Sequence, residues 1–534
     1  MMRQIMSTRT LVQLPPELLC HTLAFLDAYD LVRVRKTCKA LKAMVDDSET
    51  LQYVIDLSYF QMIPVGISET DVPPATRRKQ LRQHDAAWQR IGYKQRCTLP
   101  SFMSGSIYEF VGGIYGSVGE DCIHFARLPS PSDSGDLYYW SQPIDIMALA
   151  DFTFCAAQDL LIVVTYSPDV QSRAYDIHLR SLTTNDAHPD AARPFLKALD
   201  NADIGRRISG PSGHVKVQII RNYINMLCRN VIGNVPNVVD CVQMWDWKSP
   251  NEYQFILLFD DGIDDCSFIA EDKFLVIVDS KTMEIYSIAD KSKPPQCTAK
   301  LSFPSLMGDF SYTSAFTSEN PTPGSIFPYS RKFHQQPSCS FHPSTNDQLI
   351  GIVVRIARNT NPRDSHLYRF FTRCSAILEL EGLFSRTYGQ STSGGPKLLW
   401  SMWGPQHTTW FRFRENENWE PSLYGFRTVE SIDRSTYFVS RTPRQLRIRD
   451  FNPHIAWNYG AEDTSKWCGR LVRGEVARMI LRPFTEPLGS ALAYREFVSE
   501  ELFDVTETKM DESRILLLKN DDNGDLKNIE ALVF

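Results

Sequence analysis

The chain has 534 residues, of which 43% are apolar and 22% charged, so it can form the cores of more than one domain. Its net charge of −6 provides no overall attraction to nucleic acid or to an anionic membrane surface. The longest apolar runs have the length of single strands, well short of the ~18 residues that cross a bilayer. We therefore expect neither nucleic acid nor membrane as a partner.

The spacing of the cysteines indicates whether the protein belongs to an oxidising or a reducing compartment. The twelve cysteines are scattered without a C-x-x-C pair, and the two closest in sequence, Cys228 and Cys241, are 13 residues apart. This spacing is unlike a disulfide framework and favours free thiols in a reducing compartment. Residues 1–10 lack an apolar stretch of signal-peptide length. We predict an intracellular protein, cytoplasmic or nuclear, with a disordered segment at residues 1–10.

A helix is predicted from about Pro16 to Leu26. Proline is well tolerated in a first helical turn, where its missing N–H is no loss, and Pro15-Pro16 therefore marks the start. Apolar residues follow at three- to four-residue spacing and form one stripe. That stripe consists of Leu18, Leu19, Leu23 and Leu26.

A second helical stretch is predicted to follow, with Asp27 as its N-cap and the acid Asp30 in its first turn. Its apolar positions recur at intervals of 3, 4, 3 and 4, which is typical of a one-sided amphipathic helix. These positions are Leu31, Val34, Cys38, Leu41 and Val45, and the other face carries Arg33, Arg35, Lys36, Lys39 and Lys42. Asp46-Asp47-Ser48 ends the stretch.

These helices together are about 45 residues long, too short to be comfortably stable alone without a disulfide, a metal or a partner. Because neither disulfide nor metal spacing is present, part of the leucine face should dock on another protein. The alternative is a helical hairpin that packs on the rest of its own chain, with Leu18 and Leu26 facing the body.

Three residue groups in this segment give it a resemblance to the F-box. In chain order they are Leu14-Pro15-x-Glu17-Leu18, Leu23-x-Phe25-Leu26 and Asp30-Leu31-x5-Thr37-Cys38-Lys39-x-Leu41. The resemblance covers residues 11–57, about a tenth of the chain. One departure lies at the end, where many members have a tryptophan and this chain has Leu51-Gln52-Tyr53. Tyr53 is the residue that would take the place of that tryptophan.

The resemblance implies binding to the small adaptor subunit of cullin–RING (SCF-type) ubiquitin ligases. It places six residues on or under the adaptor-facing surface, namely Leu14, Pro15, Leu18, Leu19, Leu26 and Leu31. Burying several leucines in a central, water-excluded patch is how such interfaces obtain their affinity.

Residues 58–97 are predicted to be a linker that contains a basic helix at 76–91. Thr76 is its expected N-cap, and four residues fall on one face, namely Leu81, His84, Trp88 and Ile91. Residues 77–96 contain seven Arg or Lys and one acid. The cluster could be a nuclear-import or nucleic-acid patch, but we favour a solvated basic face on a spacer helix whose Leu/Trp edge packs on the next domain.

Residues 98–534 contain many short β-rich runs separated by Gly, Pro, Asn, Asp and Ser turns, for example Leu160–Thr165 and Phe274–Val278. This segment of more than 400 residues is too long for one sandwich or barrel, whereas a propeller grows in length by adding blades. Gly213-His214 and Trp245-Asp246, 32 residues apart, resemble the ends of a WD-type blade. We predict an α+β multidomain chain whose last domain is an all-β propeller with six to eight blades, most plausibly seven.

The whole chain resembles F-box proteins of mushroom-forming fungi that carry a degenerate propeller-like C-terminal half. This second resemblance depends on the order of the segments along the chain and on the repeated short β-rich runs. It implies that residues 98–534 bind a target protein.

Sequence motifs of catalysis are missing. The chain contains no G-x-G-x-x-G, G-x-x-x-x-G-K-[ST], H-E-x-x-H or G-x-S-x-G motif. Residues 116–119 are interpreted as a hairpin turn and residues 521–525 as a polar hairpin turn. His334, Cys339 and His342 lack a clear fourth zinc ligand, so turn or core positions are favoured. We expect no catalytic residue, no cofactor and no metal.

Five tryptophans invite two interpretations, since aromatic residues at a propeller mouth can anchor a peptide and can also pack between blades. We favour packing for this set, which is Trp245, Trp247, Trp400, Trp403 and Trp410. The substrate-binding residues are not predicted.

The sequence thus favours a non-catalytic substrate receptor of a ubiquitin ligase, acting in protein degradation. The first alternative is a propeller scaffold, or a peptide- or glycan-binding protein, whose N-terminal helices pack in cis. The second is an enzyme with a site at the propeller centre, which has no motif behind it.

Overall fold

The computed structural model describes residues 11–64, 72–131, 137–169, 172–200, 214–234, 237–249, 254–318, 320, 341–344, 347–388, 394–414, 422–432, 443–454, 469–474, 481–521 and 523–534. The predicted disordered segment at residues 1–10 lies outside these ranges. So do Gly213, His334 and Cys339.

Four helices form the first unit. They are α1 (Pro16–Leu23), α2 (Ala28–Arg35), α3 (Lys39–Asp47) and α4 (Glu49–Tyr59), after a short 3-10 turn at Leu11–Gln13. The Asp27 side chain accepts a hydrogen bond from the Asp30 amide at 2.8 Å, so the predicted N-cap is confirmed. The four helices share their own apolar core, which contains Leu19, Leu23, Leu31, Leu41, Val45 and Leu51.

The predicted second helix was wrong in one respect, because the structure breaks it into α2 and α3. Cys38 is exposed and has extended backbone angles (φ −156°, ψ 165°), and it precedes α3 instead of joining an apolar stripe. The Thr37 hydroxyl donates to the carbonyl of Val34, satisfying an acceptor at the end of α2. The spacing looked continuous because α2 and α3 both turn an apolar face to the same core.

Helix α5 (Pro74–Arg90) joins this unit to the β-domain. It starts two residues earlier than predicted, and Pro73 takes the cap position expected for Thr76, because prolines fit a first helical turn. The four residues predicted on one face are all buried, with exposures between 0% and 8%. They are Leu81, His84, Trp88 and Ile91.

Seven sheets of four or five strands make up the β-domain among the described residues, as the preferred blade count predicted. Blade 1 contains β3 (Tyr108–Val111), β4 (Ile114–Val118), β5 (Cys122–Arg127) and β6 (Tyr138–Pro143). Blade 2 contains β7 (Leu149–Cys155), β8 (Leu160–Tyr166), β9 (Arg173–Ser181) and β10 (Phe195–Asp200). Blade 3 contains β11 (His214–Ile220), β12 (Tyr223–Asn234), β13 (Asn237–Asp246) and β14 (Gln254–Phe259).

In the next two blades, a short strand from the chain segment of blade 5 extends the sheet of blade 4. Blade 4 contains β15 (Ile263–Ala270), β16 (Lys273–Val278), β17 (Thr282–Ser287) and β18 (Gln296–Ser302), and β23 (Lys397–Leu398) extends it in parallel. Blade 5 contains β19 (Phe310–Thr317), β21 (Leu349–Arg358), β22 (Asn361–Arg373) and β24 (Thr409–Phe413). Between β22 and β24 lie two helices that the sequence analysis did not predict, α6 (Cys374–Tyr388) and α7 (Trp400–His407).

Blade 6 contains β25 (Ser422–Tyr424), β26 (Arg427–Ile432), β27 (Gln445–Asp450), β29 (Tyr494–Val498) and β28 (Arg470–Val472). Blade 7 contains β30 (Glu507–Met510), β31 (Arg514–Asn520) and β32 (Leu526–Val533), and its fourth strand is β2 (Gln95–Thr98) from the other end of the chain. Both ends of the β-domain therefore share one sheet, and β2 covers the edge of β32 where the ring closes.

Seven apolar clusters each draw residues from two neighbouring blades, and together they run round a closed ring. For example, Phe125 of blade 1 packs with Phe154 of blade 2, and Leu516 of blade 7 packs with Tyr115 of blade 1. The fold is a seven-bladed β-propeller.

The strand order gives the propeller two distinct faces. Turns between first and second strands, and between third and fourth strands, lie on one face, which we name the F-box face. Helix α5 lies there, because Asp85 pairs with Arg427 after the β25–β26 turn and His84 contacts Glu512 in the β30–β31 turn. Turns between second and third strands, and the connections between blades, lie on the opposite face, which we name the far face.

Two further predictions have clear outcomes. Gly116 lies inside strand β4, so the hairpin turn predicted at 116–119 was wrong; a Cβ there would approach the rings of Phe125 and Phe154 at 2.9–3.1 Å, which explains the glycine. The packing interpretation of the tryptophans is confirmed, since four are at most 2% exposed and Trp410 stacks on Phe370 at 4.5 Å. Those four are Trp245, Trp247, Trp400 and Trp403.

Candidate adaptor-binding surface

The first nineteen described residues expose an unusual amount of apolar surface. Six large apolar side chains are 40–79% exposed there. They are Leu11, Val12, Leu14, Leu18, Phe25 and Tyr29, and we name this set the apolar patch. Exposed apolar side chains grouped in one segment make this surface a candidate docking site.

Short-range contacts fix the patch in place. The Leu14 amide donates to the carbonyl of Leu11 at 3.2 Å, and Pro15 starts α1 directly after it. The Phe25 ring lies edge-on to His21 at 5.2 Å, and the Arg33 guanidinium lies 4.6 Å from the centre of the Tyr29 ring. The patch is therefore held by the backbone and by its neighbours before any partner binds, which lowers the entropic cost of binding.

The six residues predicted to contact the adaptor divide into two layers. Leu14, Pro15 and Leu18 are exposed, whereas Leu19 and Leu31 are at most 3% exposed and Leu26 packs beside them in the helical core. The outer three lie within five residues at the start of α1. Leu19 and Leu31 can support a bound partner only through the shape they give to the surface, whereas Leu26 is partly exposed.

Four residues of the patch were missed by the sequence analysis, namely Leu11, Val12, Phe25 and Tyr29. Leu11 and Val12 precede the predicted helix, so helical spacing did not reveal them. Phe25 lies in the turn after α1, because that helix ends at Leu23 and not at Leu26 as predicted. Tyr29 lies in α2 but away from its buried side. A large aromatic residue outside the core-facing stripe is the signal that could have found them, because aromatic residues are enriched at interfaces.

The helical unit contacts its own chain through another surface, at α4. Tyr53 and Leu57 pack with Met62, Leu81 and Phe341. Tyr53 is 6% exposed and thus buried where many F-box sequences have tryptophan. Strand β1 (Met62–Pro64) also pairs with β20 (Phe341–Pro343). Leu18, by contrast, is 55% exposed and does not face the body, contrary to the in-cis alternative.

Charged contacts strengthen the attachment of α4 to α5. The Asp56 carboxylate is buried and accepts hydrogen bonds from Arg78 at 2.8 Å and Arg82 at 2.7 Å, and Arg78 also reaches Glu49 at 3.1 Å. Part of the basic cluster on α5 thus neutralises a buried acid. On the buried face of α5, Leu81 packs against α4 and Phe341, whereas Trp88 packs on the propeller.

The other end of α5 is part of the propeller. The Trp88 ring stacks on Phe534 at 4.3 Å with 6° between the planes, and Asp85 pairs with Arg427 at 2.6 Å. His84 Nε2 lies 2.8 Å from the carbonyl oxygen of Glu512. Burial lowers the pKa of His84 to about 3, so the imidazole is neutral at physiological pH. Helix α5 therefore fixes the position of the helical unit on the F-box face.

The described residues do not form a metal-binding cluster. Within the described ranges, no three His, Cys, Asp or Glu side chains are placed to hold a metal ion. Burial lowers the pKa of His342 to about 4, and this residue lies in β20 beside the helical unit. The ten described cysteines are free, and burial raises the pKa of Cys266 to about 12. None of the described helices is long and apolar enough to cross a membrane.

Comparison with known families gives one match in the helical unit. Residues 11–53 match the F-box domain. The fold and this match together define a β-propeller protein with an N-terminal F-box domain. No curated protein matches the chain.

Many solved structures resemble this chain, among them three propeller domains with 8–10% sequence identity. The propeller domain of Cps50 (Swd1) from Myceliophteria thermophila has a TM-score of 0.33 and 10% identity, covering 82% of this chain and 100% of that one. The WD40 domain of SCAP from fission yeast has a TM-score of 0.34 and 8% identity, covering 82% of each chain. The C-terminal WD40 domain of Sif2 has a TM-score of 0.33 and 9% identity, covering 83% of this chain and 98% of that one.

Proposed function

We propose that this protein is the substrate receptor of a cullin–RING ubiquitin ligase. In this proposal the F-box domain binds the adaptor subunit through the apolar patch, and the propeller binds a target protein. The receptor is intracellular and carries out no chemistry of its own. It raises the effective concentration of a target lysine near the ubiquitin thioester held by a partner enzyme.

The exposed apolar patch is the observation that carries the proposal. It lies within the residues that match the F-box domain, and it contains Leu14 and Leu18, two of the six residues predicted to face the adaptor. Apolar and aromatic side chains at the centre of an interface supply most of its affinity. Without a partner, the same side chains would remain in water at a cost of ~25 cal/mol for each Å².

The attachment of α5 supports the second half of the proposal. A receptor must present its target at a fixed distance from the ligase, because transfer depends on orientation as well as proximity. The stacked pair Trp88–Phe534 and the ion pair Asp85–Arg427 join the F-box unit to the propeller without a flexible linker after residue 74. The far face is left for the target.

Co-purification with the adaptor subunit from the same organism tests the adaptor half of the proposal. The variant combines Leu14→Ala with Leu18→Asp, which removes apolar contact and places a charge in the interface. We expect it to weaken binding by at least about 100-fold. Leu383→Asp is the matched control, since Leu383 of α6 is 52% exposed and Leu18 is 55% exposed. Circular dichroism checks that both variants fold.

The proposal stands if the wild type and Leu383→Asp bind while the double variant does not. It fails if the wild type does not bind the adaptor, or if the folded double variant binds as well as the wild type.

A further inference from the structure

The far face has a distinct sector where blade 1 meets its two neighbours. Phe102 lies in the connection from blade 7 to blade 1, and Met147 lies in the connection from blade 1 to blade 2. Their side chains are 52% and 92% exposed. Between them lie three exposed acids, Glu120 and Asp121 in the β4–β5 turn and Asp145 beside Met147. We name these five residues the blade 1 rim.

Direct contacts make the rim continuous. The Phe102 ring lies 5.0 Å from the ring of His124, which follows the turn that contains Glu120 and Asp121. The Asp121 carbonyl accepts a hydrogen bond from the Ile144 amide, and the Asp145 carboxylate accepts one from the Met147 amide. The Phe102 ring and the backbone of Met147 are thus held at the two ends of an acidic stretch.

The charged side chains of this sector are mainly acidic. The connections and the turn that form the rim, residues 99–107, 119–121 and 144–148, contain no Lys or Arg. The adjoining β31–β32 turn of blade 7 adds two exposed acids, Asp521 and Asp525. Of the two lysines next to that turn, Lys519 is paired with Asp504 at 2.7 Å, and Lys527 is exposed.

We infer that the blade 1 rim binds a segment of the target protein in which lysine or arginine residues flank an apolar residue. The inference rests on the proposed function, since it specifies what the propeller of the receptor holds. Phe102 and Met147 offer apolar contact, and the carboxylates between them attract cationic side chains. The same carboxylates repel acidic or phosphorylated segments, so the surface selects against them.

Binding of short peptides to the full-length protein, in complex with the adaptor where that complex forms, tests the inference. The probe is a fluorescein-labelled twelve-residue peptide that alternates paired lysines with leucine. The comparison peptides replace every lysine by glutamate, or every leucine by serine. Fluorescence anisotropy measures each dissociation constant at low and at physiological salt, because attraction between exposed charges weakens as salt rises.

Two charge variants test whether binding depends on the acids of the blade 1 rim or on the overall negative charge of the protein. The rim variant combines Glu120→Gln, Asp121→Asn and Asp145→Asn, and asparagine retains the hydrogen bond to the Met147 amide. The control variant removes the same number of acids from the far face at blade 4, across the ring, through Asp260→Asn, Asp261→Asn and Asp279→Asn. A third variant, Phe102→Ala with Met147→Ala, tests the apolar contribution.

We expect the rim variant to weaken binding of the lysine–leucine peptide about tenfold and the control variant less than twofold. The apolar variant should reduce the preference for leucine over serine. The inference is overturned if the wild type does not bind the peptide, if both charge variants weaken it equally, or if the glutamate peptide binds better. Adaptor binding should be unchanged in all three variants, so a failure of the proposed function appears separately, as loss of adaptor binding by the wild type.

Discussion

Glu430 shows how one buried side chain joins two blades. It lies in β26 of blade 6, is 3% exposed, and accepts hydrogen bonds from Arg369 of blade 5 at 2.6 Å and from Arg447 at 2.5 Å. Arg449 is a third partner. Burial alone would raise the pKa of Glu430, but the three guanidinium groups outweigh it and hold the pKa at about 2.

Glu430→Gln should destabilise the propeller by about 3–5 kcal/mol, because it removes the buried negative charge that three arginines share. Urea unfolding followed by tryptophan fluorescence measures the change in the free energy of unfolding. Glu507→Gln is the control, since Glu507 makes only a 3.7 Å ion pair with Lys509 near the surface, and its effect should stay within about 0.5 kcal/mol. A loss below about 1 kcal/mol for Glu430→Gln would contradict this account of the blade 5–blade 6 contact.

Two buried histidines make the F-box attachment sensitive to acid. Burial lowers the pKa of His84 to about 3 and that of His342 to about 4, against an ordinary value of 6.5. Below pH 6.5 the unfolded chain therefore takes up protons that the folded protein does not. Stability from these two residues is complete above pH 6.5 and is lost as the pH falls toward 4.

The double variant His84→Gln, His342→Gln isolates that effect. Thermal unfolding at pH 7.5 and pH 5.0 should show a larger loss of stability for the wild type than for the variant. An equal loss in both proteins would assign the acid sensitivity to other groups.

At the scale of elements, features that depend on neighbouring residues were predicted well, whereas pairings between distant segments were not. The Asp27 cap and the buried face of α5 follow from residues within one or two turns of each other. The break between α2 and α3 was hidden because both helices face one core. The pairing of β1 with β20 joins residues about 280 positions apart, and no local pattern predicts it.

The candidate site shows the same division. Leu14, Pro15 and Leu18 were predictable because they belong to a motif with fixed spacing. Phe25 belongs to the same motif but was not assigned to the site, and Tyr29 lies outside the motif. Helical periodicity identifies residues that face a core and ignores apolar residues that face solvent. Helices α6 and α7 were missed because their segment was taken as part of a strand-rich region.

Strand β2 is predicted to be necessary for closing the ring. A chain that begins at residue 99 lacks β2 and α5, which leaves the edge of β32 unpaired and Phe534 without Trp88. We expect that chain to aggregate in size-exclusion chromatography with light scattering. A chain that begins at residue 72 keeps both elements and should be monomeric. Identical behaviour of the two chains would contradict closure by β2.

At the scale of the whole molecule, the two faces of the propeller have separate tasks in the proposed function. The F-box unit occupies one face through α5, while its apolar patch stays exposed for the adaptor. The far face remains available to a target, and its blade 1 rim combines apolar and acidic side chains. In the proposed function both partners therefore bind at once, without competition between them.

Hydrogen–deuterium exchange of the full-length protein, with and without the adaptor subunit, tests whether the apolar patch binds the adaptor while the far face stays free. We predict that the adaptor slows exchange in peptides covering residues 11–31, where the apolar patch lies. Peptides from the far face, including residues 99–107 and 144–148, should exchange at unchanged rates. Protection of the far face, or no protection anywhere in the F-box unit at a saturating adaptor concentration, would contradict the account.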